Sequence, residues 1–148
     1  MSLHVLSVAS EAVPLVKTGG LADVVGALPA ALAAQGVTVT TLLPGYPAVT
    51  AAAKRAKVVH SFDALLGEPA RLLSATLNGH PLLILDAPAY FARDGGPYGD
   101  ASGKDWPDNW RRFAAFGRAA TDIASGQVKG QAFDVIHAHD WQAGLALA

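Results

Sequence analysis

Within its first 44 residues the chain switches from a strand-like to a helical hydrophobic period and back, and that alternation constrains its fold more than any other feature. LHVLSVA (3–9) is a short, almost continuous apolar run, the pattern of a strand buried on both faces. Residues 21 to 34 then place Leu21, Val24, Val25, Leu28 and Leu32 at helical spacing, with Gly36 as a C-terminal stop. Pro29 lies inside that run and predicts a bent helix, because proline lacks an N–H and crowds the carbonyl four residues back. VTVTTLLP (37–44) is β-branched, closes on Pro44 and reads as a second strand. A strand, turn, helix and strand in so short a span begin a doubly wound α/β domain.

The middle of the chain is less regular. Residues 45 to 47, GYP, read as a loop, and 50 to 57 as a short helix. Asn78-Gly79 separates two apolar stretches and predicts a hairpin pairing 70–77 with 81–86. The glycine-rich segment 93–109 has no periodicity and reads as a loop. A helix from Trp110 to about Ile123 presents Trp110, Phe113, Phe116 or Gly117, and Ala120 along one face. FDVIHAHDW (133–141) is a further short strand ending in polar residues, and WQAGLALA opens a helix. With room for barely two turns there, the expectation is an incomplete domain, 1–148, cut before its last helix covers the sheet.

Composition narrows the function. Apolar residues make up 51% and charged residues 16%, against about 25% charged in an ordinary soluble domain. Some apolar surface is therefore expected to meet a second domain. Eleven basic and twelve acidic side chains leave a formal charge of -1, with no electrostatic footprint for nucleic acid or an anionic membrane. No run reaches the roughly 18 apolar residues of a membrane span, and the N-terminus lacks the basic region of a signal peptide. A cytoplasmic protein is the default expectation. With no cysteine in the chain, thiolate and disulfide chemistry are excluded.

Three stretches could carry chemistry. In residues 9 to 23 a strand delivers Ser10 and Glu11, then Lys17, Gly19 and Gly20 ahead of a helix. Glycines admit a ligand to the backbone, a helix N-terminus offers free N–H groups, and the lysine adds a point charge. The spacing matches neither the P-loop nor the GxGxxG dinucleotide pattern. An anion site and a plain strand-to-helix turn with a solvated lysine both remain open. In HAHDW (137–141) His137 and His139 share one face of an extended segment at the edge where open α/β sheets bind ligands. A metal there would need a third ligand, such as Glu11 or Asp23, so hydrogen bonding to a sugar or a packing role is favoured and no metal is expected. The third stretch mixes Tyr98, Trp106, Asp108, Asn109 and Trp110, rings and short polar groups that suit either carbohydrate or a pinned loop.

Taken in order, VASEAVPLVKTGGLADVVGALPAALAAQGVTVTTLLPGYP (8–47), DGGPYGDASGKDWPDNWRRFAAFGRAA (94–120) and DVIHAHDWQAGL (134–145) resemble the bacterial glycogen synthase and plant starch synthase family. The resemblance covers nearly the whole chain and is weakest at 50–80. It implies the Rossmann-like N-terminal domain of a two-domain glycosyltransferase of the GT-B type, truncated, with the nucleotide-binding half absent. The implied activity is retaining transfer of glucose from ADP-glucose to the non-reducing end of an α-1,4-glucan, with no cofactor and no metal. The partners implied are ADP-glucose, glycogen or a maltooligosaccharide, and the C-terminal half of the same protein; the chain by itself is expected to be inactive.

By position, Lys17 is implied at the diphosphate or transferred sugar and His139 at the donor glucose, as the catalytic pair. Glu11, Gly19, Gly20, Asp23, Tyr98, Asn109 and Asp140 are implied as substrate-binding residues. The alternatives are a carbohydrate-binding or structural α/β fragment without transferase activity, or another GT-B nucleotide-sugar transferase such as a sucrose synthase-like enzyme.

Overall fold

The computed structural model describes residues 2–148. Six strands form one sheet: β1 (His4–Val8), β2 (Thr38–Pro44), β3 (Lys57–Leu65), β4 (Glu68–Leu77), β5 (His80–Asp86) and β6 (Val135–Ala138), in the order β3-β4-β5-β2-β1-β6. The four strands β5, β2, β1 and β6 run parallel, with Val5 opposite both Val39 and Val135, and Thr41 opposite Leu82. β4 is antiparallel to both neighbours. The central strands carry the core: Leu6, Val8, Leu42, Leu43, Ile84 and Leu85 are fully buried, as expected where both faces of a parallel sheet are covered.

Helix α1 (Gly20–Ala33) forms the predicted crossover and continues through Pro29 as one helix. Its buried residues are Ala22, Val25 and Pro29; Val24, expected on the inner face, is 57% exposed. Proline is tolerated there because the pyrrolidine itself is core material, which offsets the lost ladder bond.

The Asn78-Gly79 hairpin is present, with both residues at positive φ (51° and 80°) and Leu77 opposite His80. A second tight turn, missed in the sequence, joins β3 to β4 at Leu66-Gly67, again at positive φ. The Tyr90 hydroxyl donates to the carbonyls of Leu65 and Leu66, and Arg111 donates to Leu66 as well, so tertiary contacts hold a turn that leucine does not favour. The helix expected over 50–57 is instead α2 (Pro47–Ala52), and Lys57 already opens β3. Its first residue, Pro47, belongs to the expected loop, as proline at a helix start allows. A single-turn helix, α3 (Pro88–Phe91), follows β5.

Helix α4 (Asn109–Ala124) buries Arg112, Phe113, Ala115, Phe116, Ala119, Ala120 and Ile123. Trp110 does not join that face and is 72% exposed. At about 100° per residue it falls at the margin of the buried arc, beside Gly117, and in the helix's first turn it remains exposed. The chain closes with a 3-10 helix, Trp141–Leu147, packed on α4. A Cβ on Gly117 would come within 2.8 Å of Leu145, so glycine sets how closely the two helices approach. Among the described residues no helix is long and apolar enough to cross a membrane.

Candidate active site

Parallel topology brings the ends of β1, β2 and β6 to one edge of the sheet, and the segments that leave them carry most of the predicted site residues. Beyond β1, Ser10 and Glu11 are still buried. Beyond β6, the His139 N–H donates to the Val8 carbonyl at 2.9 Å, tying the HAHDW segment to the exit of β1. Beyond β2, Tyr46 is buried beneath the same region.

Glu11 organises the turn. Its two carboxylate oxygens accept from the Thr18 N–H, from the Thr18 hydroxyl at 2.7 Å, and from the Tyr98 hydroxyl. The Tyr98 oxygen also lies 2.7 Å from the Ser10 hydroxyl. Burial pushes the Glu11 carboxyl up, but the bonds from Tyr98 and Thr18 outweigh it and hold the group below its ordinary value. The Tyr98 phenol is pushed well up, first by burial and then by the carboxylate it serves. At neutral pH the arrangement is therefore a charged glutamate facing a neutral tyrosine. Three donors leave the carboxylate with lone-pair capacity for a further hydroxyl.

Lys17 and Asp23 stand apart from this network. Their side chains are about half exposed (51% and 55%), and the ammonium lies 2.7 Å from the carboxylate. Gly19 precedes α1 in extended conformation, and no side chain caps the helix start. A Cβ on Gly19 or Gly20 would meet nothing within 4 Å, so neither glycine is demanded by packing. The space beside both glycines at the start of α1 is therefore open. Gly26 on the same helix is different: a Cβ there would strike Val13, so α1 is pressed against the loop that carries the site.

His139 is buried, with Nε2 at 3.0 Å from the Ser7 hydroxyl. Its ring sits 4.0 Å from that of exposed His137, on one face as the extended spacing predicts. Burial, reinforced by His137, lowers its pKa to about 4, so the imidazole is neutral at physiological pH. The next residue, Asp140, adopts φ 62°, ψ -174°, a conformation that only glycine takes freely. Its carboxylate accepts from the Trp141 N–H and caps the 3-10 helix.

Asn109 is already committed: its amide donates to the Tyr98 carbonyl and accepts from Arg112. Arg112 is 1% exposed, donates also to the carbonyls of Tyr90 and Pro97, and lies over the rings of Phe91 and Phe113. Nothing in the sequence separates this arginine from its exposed neighbour Arg111. Thr18 was missed as well, although a hydroxyl directly ahead of a helix start is a recognisable signal. The Tyr46 hydroxyl is buried without a partner among the described residues, and its ring lines a cavity of about 260 Å³ with Val16, Arg93, Gly95 and Pro97. A hollow of about 700 Å³ lies at the opposite lateral edge of the sheet, beside β3. No group of three or more histidine or acidic side chains suited to a metal occurs among the described residues.

A mixed α/β sheet with its polar loops gathered beyond the parallel strands is the Rossmann-like architecture of a lobe of a two-domain GT-B glycosyltransferase. Comparison with known proteins makes the assignment specific. The family model described as starch synthase catalytic domain matches residues 4–148, and the chain belongs to that family. It is 69% identical over 148 residues to a glycogen synthase of Novosphingobium aromaticivorans and 55% identical over 146 residues to one from Mesorhizobium japonicum. All of this chain is covered in the first match and 99% in the second, and the chain spans 30% of the length of each relative. Its fold is similar to the catalytic domain of starch synthase IV from Arabidopsis thaliana bound to ADP and acarbose. That match has a TM-score of 0.72 and 31% identity, over 97% of this chain and 29% of the other.

Proposed function

We propose that the complete protein of which this chain forms part transfers glucose from ADP-glucose to the non-reducing end of an α-1,4-glucan, with retention of configuration. The observation that carries this reading is the β1–α1 turn. A buried glutamate fixes a lysine-bearing loop at the uncapped start of a helix, with open space above two glycines that packing does not require. Breaking a sugar–phosphate bond builds negative charge on the departing diphosphate. Preorganised N–H groups and a cation at that position lower the barrier. Lys17 supplies the cation, exchanging the Asp23 carboxylate for phosphate oxygens; the exposed pair is worth only about 0–1 kcal/mol, so the exchange costs little. Gly19 and Gly20 let the diphosphate approach the backbone.

Tyr98 and Glu11 line the sugar side, where the remaining acceptor capacity of the carboxylate takes up a hydroxyl. Asp23, once released, and Asp140 are assigned to sugar hydroxyls at the rim, and Asn109 acts on substrate through the Tyr98 segment it holds. His139 is assigned a positioning role: buried against Ser7 and neutral, it fixes the HAHDW turn rather than carrying a proton. The ADP and acarbose of the Arabidopsis structure agree in kind with a nucleotide sugar and a glucan. The nucleotide is expected to be held mostly by a second domain, and a cytoplasmic location belongs to the same reading.

The test is ADP release from ADP-glucose with a maltooligosaccharide acceptor, alongside analysis of the lengthened product. The complete protein should turn over and add α-1,4-linked glucose, whereas the 148-residue chain should not. Glucan binding by the complete protein without any ADP release would overturn the transferase reading in favour of a carbohydrate-binding one.

A further inference from the structure

The hollow at the opposite edge of the sheet has a chemistry of its own. β3 runs parallel to β2, because β4 is antiparallel to both β3 and β5, and β5 is parallel to β2. Lys57 opens β3 opposite Ser74, on the lateral edge strand of the sheet, with β4, β5 and β2 between it and the β1 strand that leads to the Lys17 turn. Here α2 ends, and a hollow of about 700 Å³ is lined by Ala51–Ala53, Lys54, Arg55, Lys57 and the segment Ser74–Thr76. Three of the eleven basic residues of an otherwise slightly acidic chain fall within four consecutive positions. No acidic residue lines the hollow, and none of the four salt bridges of the described residues involves these cations.

Cations near a helix C-terminus and on an edge strand have ordinary uses, in complementing the dipole and in discouraging edge pairing. Neither use requires a concave surface of the size that holds small ligands, nor hydroxyls from the paired strand beside the charges. We propose that this groove binds a phosphorylated small metabolite of about hexose-phosphate size. The phosphate would lie among Lys54, Arg55 and Lys57 as charge-assisted hydrogen bonds favour. The body of the ligand would rest on the alanine floor, with Ser74 and Thr76 as hydroxyl partners. This site is independent of the glucosyl-transfer reading.

The proposal is tested by titrating the isotopically labelled chain with inorganic phosphate, pyrophosphate and a hexose monophosphate at constant ionic strength. Amide shifts are then followed by NMR. Saturable shifts are expected at residues 51–57 and 74–76. The triple variant Lys54→Gln, Arg55→Gln, Lys57→Gln should bind about tenfold more weakly or worse, since one lost charge-assisted bond alone has that effect. Lys17→Gln should leave these shifts intact, and Lys54→Arg with Lys57→Arg should retain binding, which separates charge from folding. Shifts that do not saturate, that chloride reproduces, that persist in the triple variant or that fall only near residues 17–23 would each overturn it.

Discussion

The two acidic residues of the β1–α1 turn, Glu11 and Asp23, have opposite fates. Glu11 is 3% exposed and held by three donors, two from its own loop and one from the Tyr98 segment. Asp23 is half exposed and holds one partner, Lys17, which is equally exposed. The first is a fastening whose loss leaves buried donors unpaired. The second is a contact between two solvated groups that can be exchanged for something else. The proposed site, rigid in shape and yet yielding a cation to an incoming anion, would use both kinds of carboxylate, one on each side of the lysine in sequence.

The comparison breaks most visibly at Lys17. In the complete enzyme Lys17→Ala should lower kcat/KM by about 10²–10³, the cost of removing one preorganised charge-stabilising group. Thermal stability should barely change, because an exposed pair contributes so little. Steady-state kinetics beside a melting curve checks both halves. An unchanged kcat/KM would remove the lysine from the mechanism, and a large stability loss would show that the pair is structural after all.

Glu11→Ala should behave in the opposite sense, with stability falling by about 2–3 kcal/mol as the Thr18 N–H and Tyr98 hydroxyl lose a charged acceptor. Denaturant unfolding of the chain measures this directly. Activity would fall as well, but through disorder of the turn, so Glu11→Gln should recover part of the stability. Equal and negligible effects of Glu11→Ala and Lys17→Ala on unfolding would erase the distinction between the two carboxylates.

His139 extends the contrast to pH. Its folded pKa of about 4 lies below the ordinary 6.5, so the unfolded chain binds the proton first. Stability is therefore complete above pH 6.5 and declines as pH falls towards 4, by up to about 3 kcal/mol. Glu11, also depressed, loses its contribution only lower, as pH falls from 4.5 through its folded pKa. Unfolding midpoints between pH 7 and 4 should slope downwards, and His139→Gln should flatten the upper part of that window. A slope that survives the substitution would assign the titration to another group.

How much of this could be read in advance depended on whether a residue's role was local. β1, α1, β2 and the Asn78-Gly79 hairpin announce themselves because periodicity and turn chemistry are properties of neighbouring residues. β3 did not, since as an edge strand it is largely exposed and lacks an apolar face to betray its period. The site divides in the same way. Lys17, Gly19 and Gly20 were legible as the start of a helix, whereas the Glu11–Tyr98 bond spans 87 positions and depends on the loop that Asn109 and Arg112 pin. His139 was expected at the sugar, and its burial against Ser7, 132 positions away, is a consequence of β6 pairing with β1.

Asp23→Asn gives the smallest expected effect and the finest discrimination. In the unfolding experiment it should change stability by no more than about 0.5 kcal/mol, since only a solvated pair is lost. In the complete enzyme the freed Lys17 should bind the diphosphate as well as before or slightly better, so KM for ADP-glucose should hold or fall. If the released carboxylate then receives a glucan hydroxyl, KM for the acceptor should rise several-fold, because asparagine keeps the shape but loses the charge that strengthens the bond. Opposite movements of the two KM values would give Asp23 a second partner beyond Lys17. A fall in donor KM with an unchanged acceptor KM would reduce it to a resting place for the lysine.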